Sequence, residues 1–369
     1  MKKFFKKLHL WLSLPFAIII AIICATGSML VFQSEIQEAL NPHLYFVEEV
    51  KEQPLPIPEL IAKAEQQLPD SIAVTGFRIM QDPDRTYQLR LKGSRATYMI
   101  DPYTGIITGT KERSKFFSKV SGLHARLLGE RRSNSIPWGK WIVGASTLAF
   151  VFILISGLVI WFPKSRKKLK TRFSVNAKKG WYRFFFDLHV SGGFYASAFL
   201  LAMALTGLNW SFDWYNKAFY SLLGKETEPQ KKQEKVTFPK QQELNFSQWD
   251  NVLAQMHDKY EDYNSISIQK NTVSVTYDNI NKRDSYDFNP ETGEIVDSQL
   301  YEDQSYNSKL RGWVWAFHSG RWGGMTTRIL HCLAAFLGAV FCITGYYFWI
   351  KKKVNKRNKK NKAPKKAEE

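Results

Sequence analysis

Four stretches of about 20 residues or more are almost free of charge: Leu8–Phe32, Trp138–Phe162, Leu188–Phe212 and Ile329–Ile350. A helix rising about 1.5 Å per residue crosses a hydrocarbon layer of roughly 30 Å in about 20 residues. Within that layer every backbone N–H and C=O must be satisfied internally, which leaves helices as the spanning form for runs like these. The expected class is therefore an integral membrane protein. Its spans are assigned to residues 8–32, 138–162, 188–212 and 326–350. Between them lie two long segments, 33–137 and 213–325, a basic loop at 163–187 and a basic tail at 351–369.

A formal net charge of +19 would suit nucleic-acid binding if it formed a stripe on a folded domain. It does not, because the lysines and arginines crowd into Lys2–Lys7, Lys164–Arg183 and Lys351–Lys366. In a four-span protein all three lie on one side. An excess of Lys and Arg marks the cytoplasmic side, so both termini and the middle loop are expected inside, with no nucleic-acid partner. The first run has the basic start of a secretory leader but is too long for one, and a similar run recurs internally, so it reads as a retained helix. Cys24, Cys332 and Cys342 all fall inside spans. The long segments thus have no disulfides to hold them and need cores of their own.

The sequence repeats itself. His9, Thr26, Gly27 and Phe32 recur at a constant offset as His189, Thr206, Gly207 and Phe212. A second offset relates Asp101-Pro102-Tyr103-Thr104-Gly105 to Asn289-Pro290-Glu291-Thr292-Gly293, and Ser156-Gly157 with Trp161 to Thr344-Gly345 with Trp349. Each long segment also runs in the same order. In the first, Leu60, Ile61, Ala64 and Leu68 share a helix face ahead of three strand-like stretches; in the second, QWDNVLAQMHDKY precedes SISIQ, VSVTYD and SYDF. These matches predict an internal duplication with parallel repeats. The expected fold is a membrane all-α four-helix bundle carrying two separate extracytoplasmic α+β domains.

Five of the seven histidines lie at or near the spans: His9, His124, His189, His318 and His331. Ionisable groups beside hydrocarbon are costly and mark pathways or ligand sites. His9 and His189 open the odd-numbered spans at equivalent repeat positions and could offer two imidazoles to one metal. His331 falls inside the fourth span and has Val143 as its counterpart, an asymmetric feature. His124 and His318 precede the even-numbered spans and are expected in short re-entrant or interfacial turns at the outer surface. Acidic residues are nearly absent from the spans, which disfavours both a catalytic zinc site and coupled transport. Haem needs one or two imidazoles, an apolar slot, small residues beside the macrocycle and cations for its propionates. Gly27, Gly192, Gly193 and Gly207 are suitable small residues, and Arg126, Arg321 and Arg328 are candidate propionate partners. One or two b-type haems, one near each face, would divide the crossing into shorter electron hops. His43 and His257 lie in the long segments and are given no role.

The LHLWLS start, the two Thr-Gly pairs, DLHVSGGF, the span ends Gly157–Trp161 and Gly345–Trp349, and the DPYTG and NPETGEIV turns occur here in one order. In that order they resemble the PepSY-associated transmembrane helix proteins, described as iron-regulated or iron-uptake-linked inner-membrane proteins. The resemblance implies a multi-pass protein of the bacterial inner membrane with two PepSY-like domains in the periplasm. It also implies haem-containing relatives that reduce ferric siderophores there. The substrate would be a ferric siderophore or ferric chelate, and electrons would come from a cytoplasmic donor or a quinol. Carried onto this chain, the candidate iron ligands are His9, His189, His124, His331 and His318, with their pairing open. A competing expectation is a non-enzymatic membrane protein whose PepSY-like domains bind a peptide, protease or transporter partner.

Overall fold

A computed structural model of the chain describes residues 1–94, 96–129, 136–163, 169–224 and 245–362. Parts of the expected basic loop and tail, 164–168 and 363–369, lie outside the described residues. The helices in chain order are α1 (Lys2–Val31), α2 (Gln33–Leu40), α3 (Pro42–Tyr45), α4 (Ile57–Gln67), α5 (Lys115–Arg126), α6 (Trp138–Trp161), α7 (Leu169–Arg172), α8 (Trp181–Asp187), α9 (Gly193–Ser211), α10 (Asp213–Leu222), α11 (Trp249–Lys259), α12 (Tyr306–Ser319) and α13 (Gly324–Lys362). The strands are β1 (Ala73–Met80), β2 (Tyr87–Lys92), β3 (Thr97–Ile100), β4 (Ile107–Lys111), β5 (Ser265–Gln269), β6 (Thr272–Tyr277), β7 (Lys282–Phe288) and β8 (Ile295–Gln299). Two compact units result, one helical and one built on a sheet.

The helical unit comprises Met1–Phe32, Lys115–Leu223 and the chain from Phe317 onward. Four helices in it are long and apolar enough to cross a membrane: Lys2–Val31, Trp138–Trp161, Trp181–Ser211 and Arg321–Asn358. Helix α1 packs on α6 and α13, and α9 packs on the same two, closing a ring of four. Small side chains set the spacing, as membrane helices require where lipid offers no hydrophobic drive. Gly338 lies against the Cys24 thiol, and Ala196, Ala334 and Ala339 join Ile20, Ile153 and Leu200 in the buried centre. Large apolar side chains such as Ile18, Phe152, Phe336 and Ile343 point outward, as a lipid-facing surface allows. The helices extend past the charge-free runs expected to bound them, because basic residues at Lys2–Lys7 and Lys351–Lys353 propagate a helix well once it is started. The third span is interrupted by a π-helical turn, Leu188–Gly192, a local widening often found at functional positions.

The second unit comprises Gln33–Ser114 and Gly224–Ala316, and it corrects the expectation of two separate domains. Its strands form one antiparallel eight-stranded sheet in the order β4-β3-β2-β1-β5-β6-β7-β8. Each segment supplies a four-stranded meander, and the meanders join where β1 pairs with β5, from Gly76 opposite Gln269 to Met80 opposite Ser265. Gly76 is needed at that seam, since a Cβ there would collide with the Ile268 carbonyl oxygen. Helices α4 and α11 cover one face. The alternation of Phe77, Ile79, Ile266, Ile268, Val273 and Val275 turns these residues into a common core with Leu60, Ile61, Ala64, Trp249, Val252 and Met256. A single core shared by both segments buries more apolar area than two small ones could, which favours the merged sheet.

Candidate histidine pairs in the helical unit

Four of the five candidate histidines fall into one repeated arrangement. His9 on α1 faces Ser156-Gly157 on α6; His124 on α5 faces Thr26-Gly27 on α1. His189 in the π-turn faces Thr344-Gly345 on α13, and His318 at the end of α12 faces Thr206-Gly207 on α9. In every case the glycine leaves room for the imidazole. A Cβ added at Gly27 would stand 3.0 Å from His124 Cε1, at Gly207 3.1 Å from His318 Cε1, at Gly157 3.3 Å from His9 Cε1 and at Gly345 3.7 Å from His189 Cε1.

The hydroxyl next to each glycine fixes the ring. Nδ1 lies 3.2 Å from Ser156 Oγ in His9, 3.4 Å from Thr26 Oγ1 in His124, 2.9 Å from Thr344 Oγ1 in His189 and 3.2 Å from Thr206 Oγ1 in His318. These hydroxyls already donate to carbonyls of their own helices: Ser156 to Ile153, Thr26 to Ile22, Thr344 to Val340 and Thr206 to Ala202. With its proton engaged, each hydroxyl can only accept from the imidazole. Three rings are also within reach of a backbone carbonyl, His9 of Ile153 at 3.0 Å, His124 of Ile23 at 2.9 Å and His318 of Met203 at 3.0 Å. A carbonyl oxygen accepts and never donates. Nδ1 therefore carries the proton in all four, and the lone pair sits on Nε2, the tautomer of a metal-bound histidine whose other nitrogen is held by an outer partner.

The four make two pairs. The His124 and His318 rings stand 6.2 Å apart, centroid to centroid, at 57° to one another. Two imidazoles bound to one metal at about 2 Å each place their centroids about 6 Å apart. His9 and His189 border a cavity of about 410 Å³ whose walls include Phe150, Phe341, Phe348 and Trp349, with Arg172 and Lys352 among its lining cations. Apolar walls, facing imidazoles, a glycine at each ring and cations beside the cavity fit the requirements of a haem. The pairs lie toward opposite ends of the bundle, since His9 and Thr26 are 17 residues apart on α1, about 26 Å of helix.

The remaining candidates occupy other positions. His331 is buried, with Nδ1 2.8 Å from the Thr327 carbonyl and Nε2 2.9 Å from the Phe317 carbonyl. Its ring backs onto Gly320, which has a positive φ of 77°. Each nitrogen lies near a backbone oxygen, one of which accepts the ring N–H, so the imidazole links Phe317 of α12 to Thr327 of α13. His124 and His318 sit on helices where short re-entrant or interfacial turns were expected. Arg328 Nη2 donates to the Val31 carbonyl at 2.7 Å, at the C-terminal end of α1 where a cation is favoured, and Arg126 Nε donates to the Gly129 carbonyl at 2.5 Å. Both lie toward the His124 end. Arg172 and Lys352, at the other end, were missed by sequence reasoning, although both belong to the basic runs flanking the spans. The signal for the pairs is in the sequence too, since each of these four histidines has a Ser/Thr-Gly step on a span to face: Ser156-Gly157, Thr26-Gly27, Thr344-Gly345 and Thr206-Gly207.

A family model described as PepSY-associated TM region matches residues 6–352. No curated protein matches the chain.

Proposed function

The chain belongs to the PepSY-associated transmembrane family, and from that premise we propose that it is a haem-containing electron-transfer protein reducing ferric iron held in a chelate. The observation that carries this reading is the fourfold imidazole seat: Nδ1 anchored to a Ser/Thr hydroxyl, the ring against a glycine, and the seats gathered in two pairs. His9 with His189, and His124 with His318, would hold one b-type haem each. Bound haem would supply reversible one-electron chemistry at each end of the bundle. The residues orient both imidazoles of each pair and place Arg172 and Lys352, or Arg126 and Arg328, where carboxylates can be neutralised. His331 braces the second pair without ligating. The recurring order of helix, meander, helix and span supports an internal duplication. The clustered Lys and Arg favour cytoplasmic termini in a bacterial inner membrane, with the sheet unit in the periplasm, a ferric siderophore or chelate as substrate and a quinol or cytoplasmic donor.

The test is an optical spectrum of the purified full chain, expressed with haem available. A Soret band that shifts on reduction, with two haems per chain, is expected. His9→Ala or His189→Ala should remove one haem, and His124→Ala or His318→Ala the other. Absence of the band sinks the reading in favour of the non-enzymatic alternative. Loss of both haems from any single substitution refutes the pairing.

A further inference from the structure

The sheet carries a second site, on the face turned away from α4 and α11. Phe77 and Ile79 of β1 point into the core under those helices, so Arg78 between them points to the opposite face. By register that face also holds Arg90, opposite Gly76; Ser267, opposite Arg78; Ser274 and Ser285, opposite each other; and Arg283, opposite Thr276. Arg78 Nε donates to Ser265 Oγ at 3.2 Å. Arg283 Nη2 donates to Ser274 Oγ at 2.9 Å, and Ser285 Oγ donates to the same oxygen at 3.1 Å. Two guanidiniums, one from β1 and one from β7, thus lean toward each other over a floor of serines on β5 and β6. Ser265 and Ser274 are only 1% and 3% exposed.

The same face carries two carboxylates, Asp287 opposite Thr272, whose hydroxyl donates to Asp287 Oδ1 at 2.7 Å, and Asp297 opposite Asp287, but the arginines form no ion pair with them. Among the described residues, Arg78, Arg90 and Arg283 take part in none of the ion pairs; those of this unit join Lys63 to Glu59, Arg85 to Glu38, Lys282 to Asp278 and Lys309 to Glu302. Burial, then the nearby Arg90 and Arg283, hold the Arg78 guanidinium below its usual range. The Nη edge of Arg78 makes no hydrogen bond to the described chain. A planar fork of N–H donors over hydroxyls matches carboxylate, phenolate or phosphate oxygens, and an anion there would relieve the repulsion.

We propose that this face binds an oxygen-rich anion and that, resting on the reductase reading above, its occupant is a negatively charged ferric chelate of the polycarboxylate type. The full chain in detergent is dialysed to equilibrium against radio-iron ferric citrate. Saturable binding is expected, and Arg78→Gln with Arg283→Gln should weaken it by about tenfold or more, the loss of two charge-assisted contacts. A positively charged ferric hydroxamate should bind the parent and the double variant alike. Should the double variant fail to fold, Arg78→Lys, which keeps the charge and loses the fork, should weaken binding several-fold. Equal binding by parent and variants overturns the site, and displacement of ferric citrate by equimolar inorganic phosphate overturns the chelate as occupant. Iron retention is read without the Soret band, so failure of the haem reading and failure of this one are separately visible.

Discussion

The four glycines facing the imidazoles give a graded prediction. Contacts of 3.4 Å and beyond are ordinary for a Cβ. Replacing Gly27 by Ala leaves its Cβ about 0.4 Å short of that distance from His124 Cε1, and Gly207→Ala about 0.3 Å short from His318. Gly157→Ala falls about 0.1 Å short at His9, while Gly345→Ala is accommodated at His189. Each ring is tied by its Nδ1 hydrogen bond to the hydroxyl beside that same glycine, so it moves away only by loosening that bond or shifting a helix. Overpacking of this kind costs about 1–3 kcal/mol, equivalent to roughly 5- to 150-fold in ligand affinity. The effect should therefore run Gly27 and Gly207 first, then Gly157, with Gly345 near neutral. The assay is haem per chain after purification, with the low-spin signal of each site followed by electron paramagnetic resonance. Gly27→Ala and Gly207→Ala should deplete the same haem, and Gly157→Ala the other. If Gly345→Ala is as damaging as Gly27→Ala, or if Gly27→Ala and Gly207→Ala affect different haems, the seat geometry is refuted.

Thr344→Val, which keeps shape and removes the acceptor for His189 Nδ1, should weaken haem at the His9 end by about 10–100-fold and leave the other end intact; haem titration of the stripped protein checks this. His331→Ala should keep the haem number of the parent and cost on the order of 1–3 kcal/mol in stability, seen as a lower unfolding midpoint; loss of a haem would make His331 a ligand after all. In the sheet unit, Asp284 accepts hydrogen bonds from the Tyr260 and Tyr277 hydroxyls and the Tyr301 N–H, so Asp284→Ala should destabilise that unit by about 2–3 kcal/mol in denaturant titration. Burial, followed by the charge of Asp284, pushes the Tyr277 phenol up to about 12. The unfolded chain loses that proton near pH 10 and the folded one later, so stability is intact below pH 10 and falls between pH 10 and about 12; phenolate absorbance that rises fully before unfolding would contradict this.

Local patterns were readable because they are local. The 3.6-residue period around Leu60, Ile61 and Ala64 and the alternation in SISIQ mark a helix and a strand at positions the structure occupies. Charge-free runs showed the four spans for the same reason. What sequence could not show is partnership. No local signal says that the second edge of β1, beyond its pairing with β2, meets β5, since the alternation is satisfied with or without that partner. His124 lies on a helix and not in a short re-entrant or interfacial turn because Val120 and Phe117 form a helix face only against the bundle that buries them. Ligand pairing likewise depended on which helix each Ser/Thr-Gly step faced. His331 is a histidine inside a span, and only the structure shows that its ring lies between the Thr327 and Phe317 carbonyls.

The seam between β1 and β5 also sets a timetable. About 185 residues separate the end of β1 at Met80 from the start of β5 at Ser265. At a synthesis rate of roughly 5–20 residues per second, the first meander waits on the order of ten to forty seconds with its middle edge unpaired. An open strand edge invites pairing with other chains. Two spans must be threaded into the bilayer during that interval, so a delay in inserting α6 or α9 lengthens the exposure of an adhesive edge. Slow insertion should therefore appear as aggregation of the first half of the chain, well before any loss of haem.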